Sequence, residues 1–141
     1  MAEVEPRPYG PESSDAEREA LRDRVSLVED HMVLFRAVPV PTPFQLDLCF
    51  DKIEELTAGM VSFALVIDLT EGRRPSAEVR AHLRERFSRL TRIAHTSLLV
   101  GPNFVLSVAA RFVLRGAGHG SLTIHRRHED ALEAARHALG G

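Results

Sequence analysis

The chain has 141 residues, of which 44% are hydrophobic and 27% are charged, as is ordinary for one soluble globular domain. Its 18 Lys and Arg residues nearly balance its 20 Asp and Glu residues, which leaves a net charge of −2. Such a chain has no overall positive field to draw it onto nucleic acid, so we expect no nucleic-acid partner. The composition also excludes a wholly disordered chain.

The single cysteine and the N-terminus indicate where the protein resides. Cys49 has no partner for an internal disulfide and lies among apolar residues with helical spacing, where we expect it to be buried. The first ten residues lack the pattern of a signal peptide, and no uncharged apolar run approaches the roughly 18 residues of a membrane span. We therefore expect a cytoplasmic protein without a membrane span. Lys52 is the only lysine, and the bias towards Arg and Ala indicates a GC-rich bacterial genome.

Residues 1–23 are predicted to form a flexible N-terminal tail, and residues 24–141 the folded domain. Three prolines and a glycine fall between residues 6 and 11, with too few apolar side chains to offset the entropy of ordering. Ser14 and Glu17 have the spacing of a capping box, which favours a short helix over residues 14–24. Because this helix has little apolar face, we expect it to fray or to pack loosely.

Apolar runs and helical periodicity alternate along the rest of the chain. Strands are predicted at residues 25–28, 32–38, 61–67, 92–100 and 121–124. Helices are predicted at residues 42–58, 75–90, 104–113 and 129–139.

The helix at residues 42–58 has the clearest signals for its start and its end. Thr42 and Gln45 form a capping box around Pro43, and Gly59 supplies a left-handed stop. Its buried stripe is predicted to contain Phe44, Leu48, Cys49, Ile53 and Leu56.

The spacing of the strands predicts the fold. Four strand starts fall near residues 32, 61, 92 and 121, and each step is about the length of one βαβ crossover. The run at residues 61–67 is almost continuously apolar, as in a central strand covered on both faces. We therefore predict an α/β domain with a mostly parallel sheet of about five strands, about four helices and strand 25–28 antiparallel at one edge.

Two stretches complete this pattern. In ALVIDLTEGRRPSAEVR, an aspartate closes the central strand before a loop and a helix. The stretch HRRHEDALEAARHAL leads from the short last strand into the last helix. Over residues 25–139 the chain resembles the SpoIIAA-like domains of the STAS superfamily. The resemblance implies a bacterial regulatory or scaffolding domain that uses no cofactor. In the anti-sigma factor antagonist branch, a kinase phosphorylates a serine at the start of the helix after this strand.

Ser76 is the position that matches this phosphorylated serine. A phosphate there would meet free N–H groups at a helix N-terminus, with Arg73 and Arg74 beside it. Pro75 stands where that branch has an acidic residue, and Ala77 stands where a small residue such as glycine follows the serine. The alternative is that Ser76 is an ordinary helix cap.

The predicted function is that of a non-enzymatic regulatory module which binds a protein partner, such as a regulator or a kinase-like protein. The predicted partner-binding residues are Asp68, Arg73, Arg74, Ser76 and Arg80. An alternative is a carrier of a lipid or another apolar ligand, or a homodimer, with the contacts made by the apolar helix 104–113. The residues of that helix that repeat with helical period are otherwise expected to be core: Phe104, Val105, Val108, Ala109, Phe112 and Val113.

No catalytic set and no metal site are predicted. Asp68 at a strand end suits a general base, but it suits equally well an acceptor for N–H groups of the loop that follows. His119, His125 and His128 are close in sequence, yet their spacing matches no zinc pattern, and solvated histidines are favoured. A local basic face, either a solvated helix surface or a dock for an acidic partner, is predicted from Arg80, Arg84, Arg86, Arg89 and Arg92.

Overall fold

The computed structural model describes residues 14–102 and 104–140. Within them the chain forms five strands, β1 (Val25–Glu29), β2 (Met32–Arg36), β3 (Phe63–Asp68), β4 (Ile93–Leu99) and β5 (Leu122–His125). It also forms five helices, α1 (Asp15–Arg22), α2 (Pro43–Thr57), α3 (Ala77–Ser88), α4 (Phe104–Gly116) and α5 (His128–Ala138).

The five strands form one sheet whose order, β1-β2-β3-β4-β5, is the order of the chain. β1 pairs with β2 in an antiparallel hairpin, and every later pair is parallel. The predicted α/β fold with an antiparallel edge strand is therefore confirmed. His31 has a positive φ of 61° in the hairpin turn, which a residue other than glycine rarely adopts.

β3 is covered on both faces, which explains its continuous apolar run. Phe63, Leu65 and Ile67 pack on the side of α2, α3 and α4, whereas Ala64 and Val66 pack on the side of α5. Among the described residues, one face of the sheet is therefore covered by a layer to which α1, α2, α3 and α4 contribute, and the other face by α5. The carboxyl ends of β3 and β4 deliver the loops that lead into α3 and α4.

α2 begins where the sequence predicted. Thr42 Oγ1 accepts a hydrogen bond from the Gln45 backbone N–H at 3.2 Å, and the Gln45 side chain accepts one from the Thr42 backbone N–H at 2.9 Å. The helix is followed by Gly59 at a φ of 92°.

The predicted buried stripe of α2 is correct only in part. Cys49 and Ile53 are buried, but Phe44, Leu48 and Leu56 are only partly buried. Their place in the core is taken by side chains that the stripe omitted, Leu46 and Phe50. α2 packs against α1, α3 and the sheet at once, so its buried surface is wider than one stripe.

The helix predicted to fray is instead packed. Ser14 and Glu17 form the predicted capping box at the start of α1, and the side chain of Leu21 is buried in the main core. Arg22 donates two hydrogen bonds to the carboxylate of Glu55 on α2, at 2.6 and 3.2 Å. Residues 1–13 of the predicted tail lie outside the described residues.

Candidate functional site

The loop from β3 to α3 begins with a turn that Asp68 holds. Asp68 Oδ1 accepts hydrogen bonds from the backbone N–H of Thr70 at 2.9 Å and from its hydroxyl at 2.6 Å. These contacts give the carboxylate the structural role that the sequence left open, because both shape the turn. Asp68 therefore lies at the base of the predicted partner-binding loop and orients it.

Ser76 is the N-cap of α3. The residue is exposed, and its hydroxyl accepts a hydrogen bond from the Val79 backbone N–H at 3.2 Å. Arg80, one turn into the helix, donates to the carbonyl of Pro75 at 3.0 Å. Arg73 and Arg74 are exposed on the loop just before the cap. The structure thus brings Arg73, Arg74, Ser76 and Arg80 together around the start of α3.

α4 exposes four of the six apolar residues that the sequence assigned to the core. Phe104, Val105, Val108 and Phe112 keep 54%, 77%, 64% and 68% of their surface exposed, so their assignment to the core is wrong. Val113 is buried as predicted, and Ala109 is half-buried. The reason is that α4 is apolar on nearly every side, whereas only one of its sides faces the domain.

The outer side of α4 and the start of α3 enclose a groove of about 560 Å³, here called the α4 groove. Arg74 and Arg80 provide one wall of it. The other wall consists of side chains from α4: Phe104, Val105, Leu106, Val108, Ala109 and Phe112. The predicted partner-binding loop and the unexpected apolar face of α4 are therefore two sides of one surface.

Under α4 lies a small, partly open apolar space of about 90 Å³, here called the α4 cavity. It lies between α4, α3 and the ends of β2 and β3, with Phe35, Ile67 and Phe87 in its lining. Leu106 and Ala109 line both the cavity and the α4 groove, so the two spaces adjoin at these side chains. The cavity is smaller than the roughly 300 to 1,000 Å³ of typical ligand sites.

Arginines border the apolar face of α4. The guanidinium of Arg84 on α3 lies 5.9 Å from the ring centre of Phe112, within the range of a cation–π contact. Arg84 also passes so close to Gly116 that a Cβ there would lie 3.0 Å from its Nε. Arg111 and Arg115 are exposed on α4 itself, and residues 104–116 contain no acidic side chain.

Arg86 does not belong to the predicted basic face. It is 5% exposed, and its two terminal nitrogens lie 2.7 Å from Asp47 and 2.9 Å from Asp51, with Glu54 at 3.3 Å. Burial disfavours the charge of Asp47, but hydrogen bonds from His82 and Arg86 outweigh it and lower the pKa of that carboxyl. This ion cluster joins α3 to α2 and leaves Arg80 and Arg84 as the arginines of α3 beside the α4 groove.

Comparison with protein-family models, with curated proteins and with solved structures found no match to this chain. The relation to the SpoIIAA-like domains thus stays a prediction from the sequence pattern. In the described part of the chain, no helix has the length and apolar character needed to cross a membrane.

The three histidines weighed as metal ligands do not meet. His119 Nε2 lies 2.6 Å from the carbonyl oxygen of Phe87, and His125 Nε2 lies 2.7 Å from the hydroxyl of Thr123. His128 is exposed at the start of α5. Among residues 14–102 and 104–140, no group of three or more His, Cys, Asp or Glu side chains is placed to hold a metal ion.

His95 is a polar centre that the sequence analysis missed. The ring is buried on β4, with Nδ1 2.9 Å from the Ser121 hydroxyl and Nε2 3.0 Å from the Thr123 hydroxyl. Burial lowers its pKa, and the nearby His125 adds to this effect, so the neutral ring is favoured. His95 and His125 lie on neighbouring strands, and Nε2 of each is within hydrogen-bond distance of the Thr123 hydroxyl. The sequence carries no signal of this arrangement, because all of α4 lies between the two strands.

Cys49 is unsuited to nucleophilic chemistry. The thiol is fully buried, and burial raises its pKa to about 12. Its sulfur lies 3.8 Å from the carbonyl oxygen of Leu21, and the free cysteine packs in the main core as a small apolar residue.

Proposed function

We propose that this chain is a non-enzymatic, cytoplasmic regulatory module that binds a protein partner through the α4 groove and the loop beside it. The observation that carries the proposal is the row of large exposed apolar side chains on α4, Phe104, Val105, Val108 and Phe112. Contiguous apolar surface of this kind marks interaction sites, because leaving it in water is unfavourable. In this chain it lies against Arg74 and Arg80 in one groove.

The proposal gives the predicted site residues distinct roles. Arg73, Arg74 and Arg80 contact the partner, Asp68 holds the shape of the loop, and Ser76 caps α3. A phosphate on Ser76 would add negative charge beside Arg73 and Arg74, and this would change the charge that a partner meets. The resemblance to anti-sigma factor antagonists supports that switch, which would act at the edge of the same groove.

A charge reversal on the groove tests the proposal. The tagged chain is isolated gently from its own host, and copurifying proteins are quantified by mass spectrometry for the wild type and for Arg74→Glu. The matched control is Arg89→Glu, an exposed arginine at the far end of α3. We expect one partner whose yield falls about tenfold with Arg74→Glu and is kept with Arg89→Glu. If no copurifying protein distinguishes the two variants, the proposed function is wrong.

A second candidate function, carriage of an apolar ligand, rests on the α4 cavity. Its lining is almost entirely apolar, and it adjoins the groove at Leu106 and Ala109. At about 90 Å³ it accepts a ligand only if α4 moves outward. Native mass spectrometry of the same isolated protein would show a bound lipid as added mass, and a clean mass of the free chain would dismiss this candidate.

A further inference from the structure

The chemistry of the α4 groove indicates what kind of partner segment occupies it, and this step rests on the proposed function. The exposed positions 104, 108 and 112 are four residues apart, so they form one ridge along α4. Helices pack by laying such ridges into the grooves of another helix. At 1.5 Å per residue, the ridge from position 104 to position 112 is about 12 Å long, so a partner helix would contact it over two to three turns.

The charge around the seam has one sign. Arg74 and Arg80 line one wall, Arg84 lies against Phe112, and Arg111 and Arg115 are exposed on α4. The chain as a whole carries a net charge of −2, so this positive border is a local arrangement. A partner segment that covers the apolar seam places the residues on either side of its own apolar face beside these guanidinium groups. Carboxylates at those positions would complement the positive charge.

The charge of this border argues against a symmetric dimer, and the shape of the groove argues against a membrane. In a symmetric dimer through this face, one patch would meet its own copy, and the arginines of the two copies would face each other. A flat membrane would touch the ridge of α4 but would not reach down to Leu106, which lines the groove and is 7% exposed. A partner helix with one apolar side contacts both the exposed ridge of α4 and Leu106 inside the groove.

We infer that the α4 groove binds an acidic amphipathic helix of the partner, with its apolar side on Phe104, Val108 and Phe112 and its carboxylates beside Arg74 and Arg80.

Selection from a peptide library tests this inference without knowledge of the natural partner. The library displays 16-residue helices with a fixed apolar seam and flanking positions that vary among Glu, Lys, Gln and Ser, and the full chain is the bait. We expect the selected peptides to be enriched in Glu at the flanks. Their affinity should fall about tenfold for Arg74→Glu and for Phe112→Ser, and stay unchanged for Arg89→Glu. Thermal unfolding of each variant verifies that it is folded.

Selected peptides with neutral or basic flanks would overturn the inference. A dimer in sedimentation that Phe112→Ser dissociates would also overturn it. So would cosedimentation of the chain with phosphatidylserine vesicles that is lost in both Arg74→Glu and Phe112→Ser. The library and the host experiment also separate the two proposals. A host partner that depends on Arg74 but is not displaced by an acidic selected helix would overturn this inference and leave the proposed function standing. Absence of any such host partner would overturn the proposed function.

Discussion

His95 is a buried histidine that folding holds in its neutral form. Its ring is 7% exposed, and both of its nitrogens have hydroxyl partners. Burial lowers its pKa below the ordinary value of 6.5, and so does the charge of His125, whose own pKa burial also lowers. The unfolded chain therefore takes up these protons at a higher pH than the folded chain does. The stability that these two neutral histidines contribute is therefore present in full well above pH 6.5, and it is lost as the pH falls through 6.5 towards their lower pKa in the folded chain.

Replacement of His95 by glutamine should weaken this pH dependence. Urea unfolding of the wild type should show a lower free energy of unfolding at about pH 5 than at about pH 7.5, and His95→Gln should show a smaller difference. Glutamine retains an amide that can reach the hydroxyls, so the variant is expected to fold. His128→Gln, at an exposed position, is the control and should behave as the wild type does. Equal pH dependence in all three proteins would contradict the role given to His95.

Arg86 shows why single residues were harder to predict than elements. Its sequence neighbours Arg80 and Arg84 are basic, so the sequence alone indicated a shared solvated face. The acids that bury Arg86, Asp47 and Asp51, precede it by 39 and 35 residues. Only the packing of α3 on α2 brings these charges together. Local features within one turn of helix, such as the caps at Thr42 and Ser76, were visible because both partners lie within three residues.

At the scale of the element, α4 has one apolar side that supports the fold and another that does not. Leu106, Val113 and Leu114 belong to the main core, whereas Val108 and Phe112 lie on the outside. A helical period tells which residues share a side, but not which side the domain covers. The sequence analysis therefore predicted this helix and misplaced its outer residues.

A valine-to-alanine substitution on each side of α4 measures how much more the buried side contributes to stability than the exposed side. Val113→Ala, at a position 3% exposed, should lower the free energy of unfolding by about 2 kcal/mol, because it removes two buried methyl groups and enlarges the α4 cavity. Val108→Ala, at a position 64% exposed, should change it by less than about 0.5 kcal/mol. Because helix propensity changes equally in both variants, the difference reports burial. Equal losses in denaturant unfolding would mean that the outer side of α4 is also packed.

At the scale of the whole molecule, the two faces of the sheet are covered unequally. α1, α2, α3 and α4 contribute to the larger core, whereas in the described part of the chain α5 covers Met32, Ala64, Val66 and Leu99. α5 lies close to the sheet because Ala131 and Ala135, both 0% exposed, form its inner side. The second face therefore depends on two small side chains.

A larger side chain at one of these alanines should force α5 away from the sheet. Ala135→Leu is expected to lower the free energy of unfolding by about 1 to 3 kcal/mol through overpacking. Ala138→Leu makes the same change at an exposed position at the end of α5 and should be nearly neutral. Thermal and denaturant unfolding of both variants provide the measurement. A stability of Ala135→Leu equal to that of the control would show that α5 is not closely packed.

The sheet could be predicted because its evidence lies in spacing along the chain. Strand starts about 30 residues apart predict parallel crossovers, and the short turn before Met32 predicts the antiparallel edge. The tight packing of α1 was not predicted, because it depends on the burial of Leu21 and on the hydrogen bonds from Arg22 to Glu55 in another helix. The α4 groove was beyond prediction for the same reason, since its two walls come from different βα units.

The match between strand order and chain order has a consequence for synthesis. When each strand after β1 leaves the ribosome, the preceding strand, with which it pairs, has already been synthesised. The sheet can therefore grow in one direction without waiting for segments that are distant along the chain. The exception is the face of Met32, Ala64 and Val66, because α5, which covers it, is translated after all five strands. A nascent chain that stalls before residue 128 carries a sheet that is assembled but uncovered on one side, and chaperones and proteases recognise exposed apolar surface of that kind.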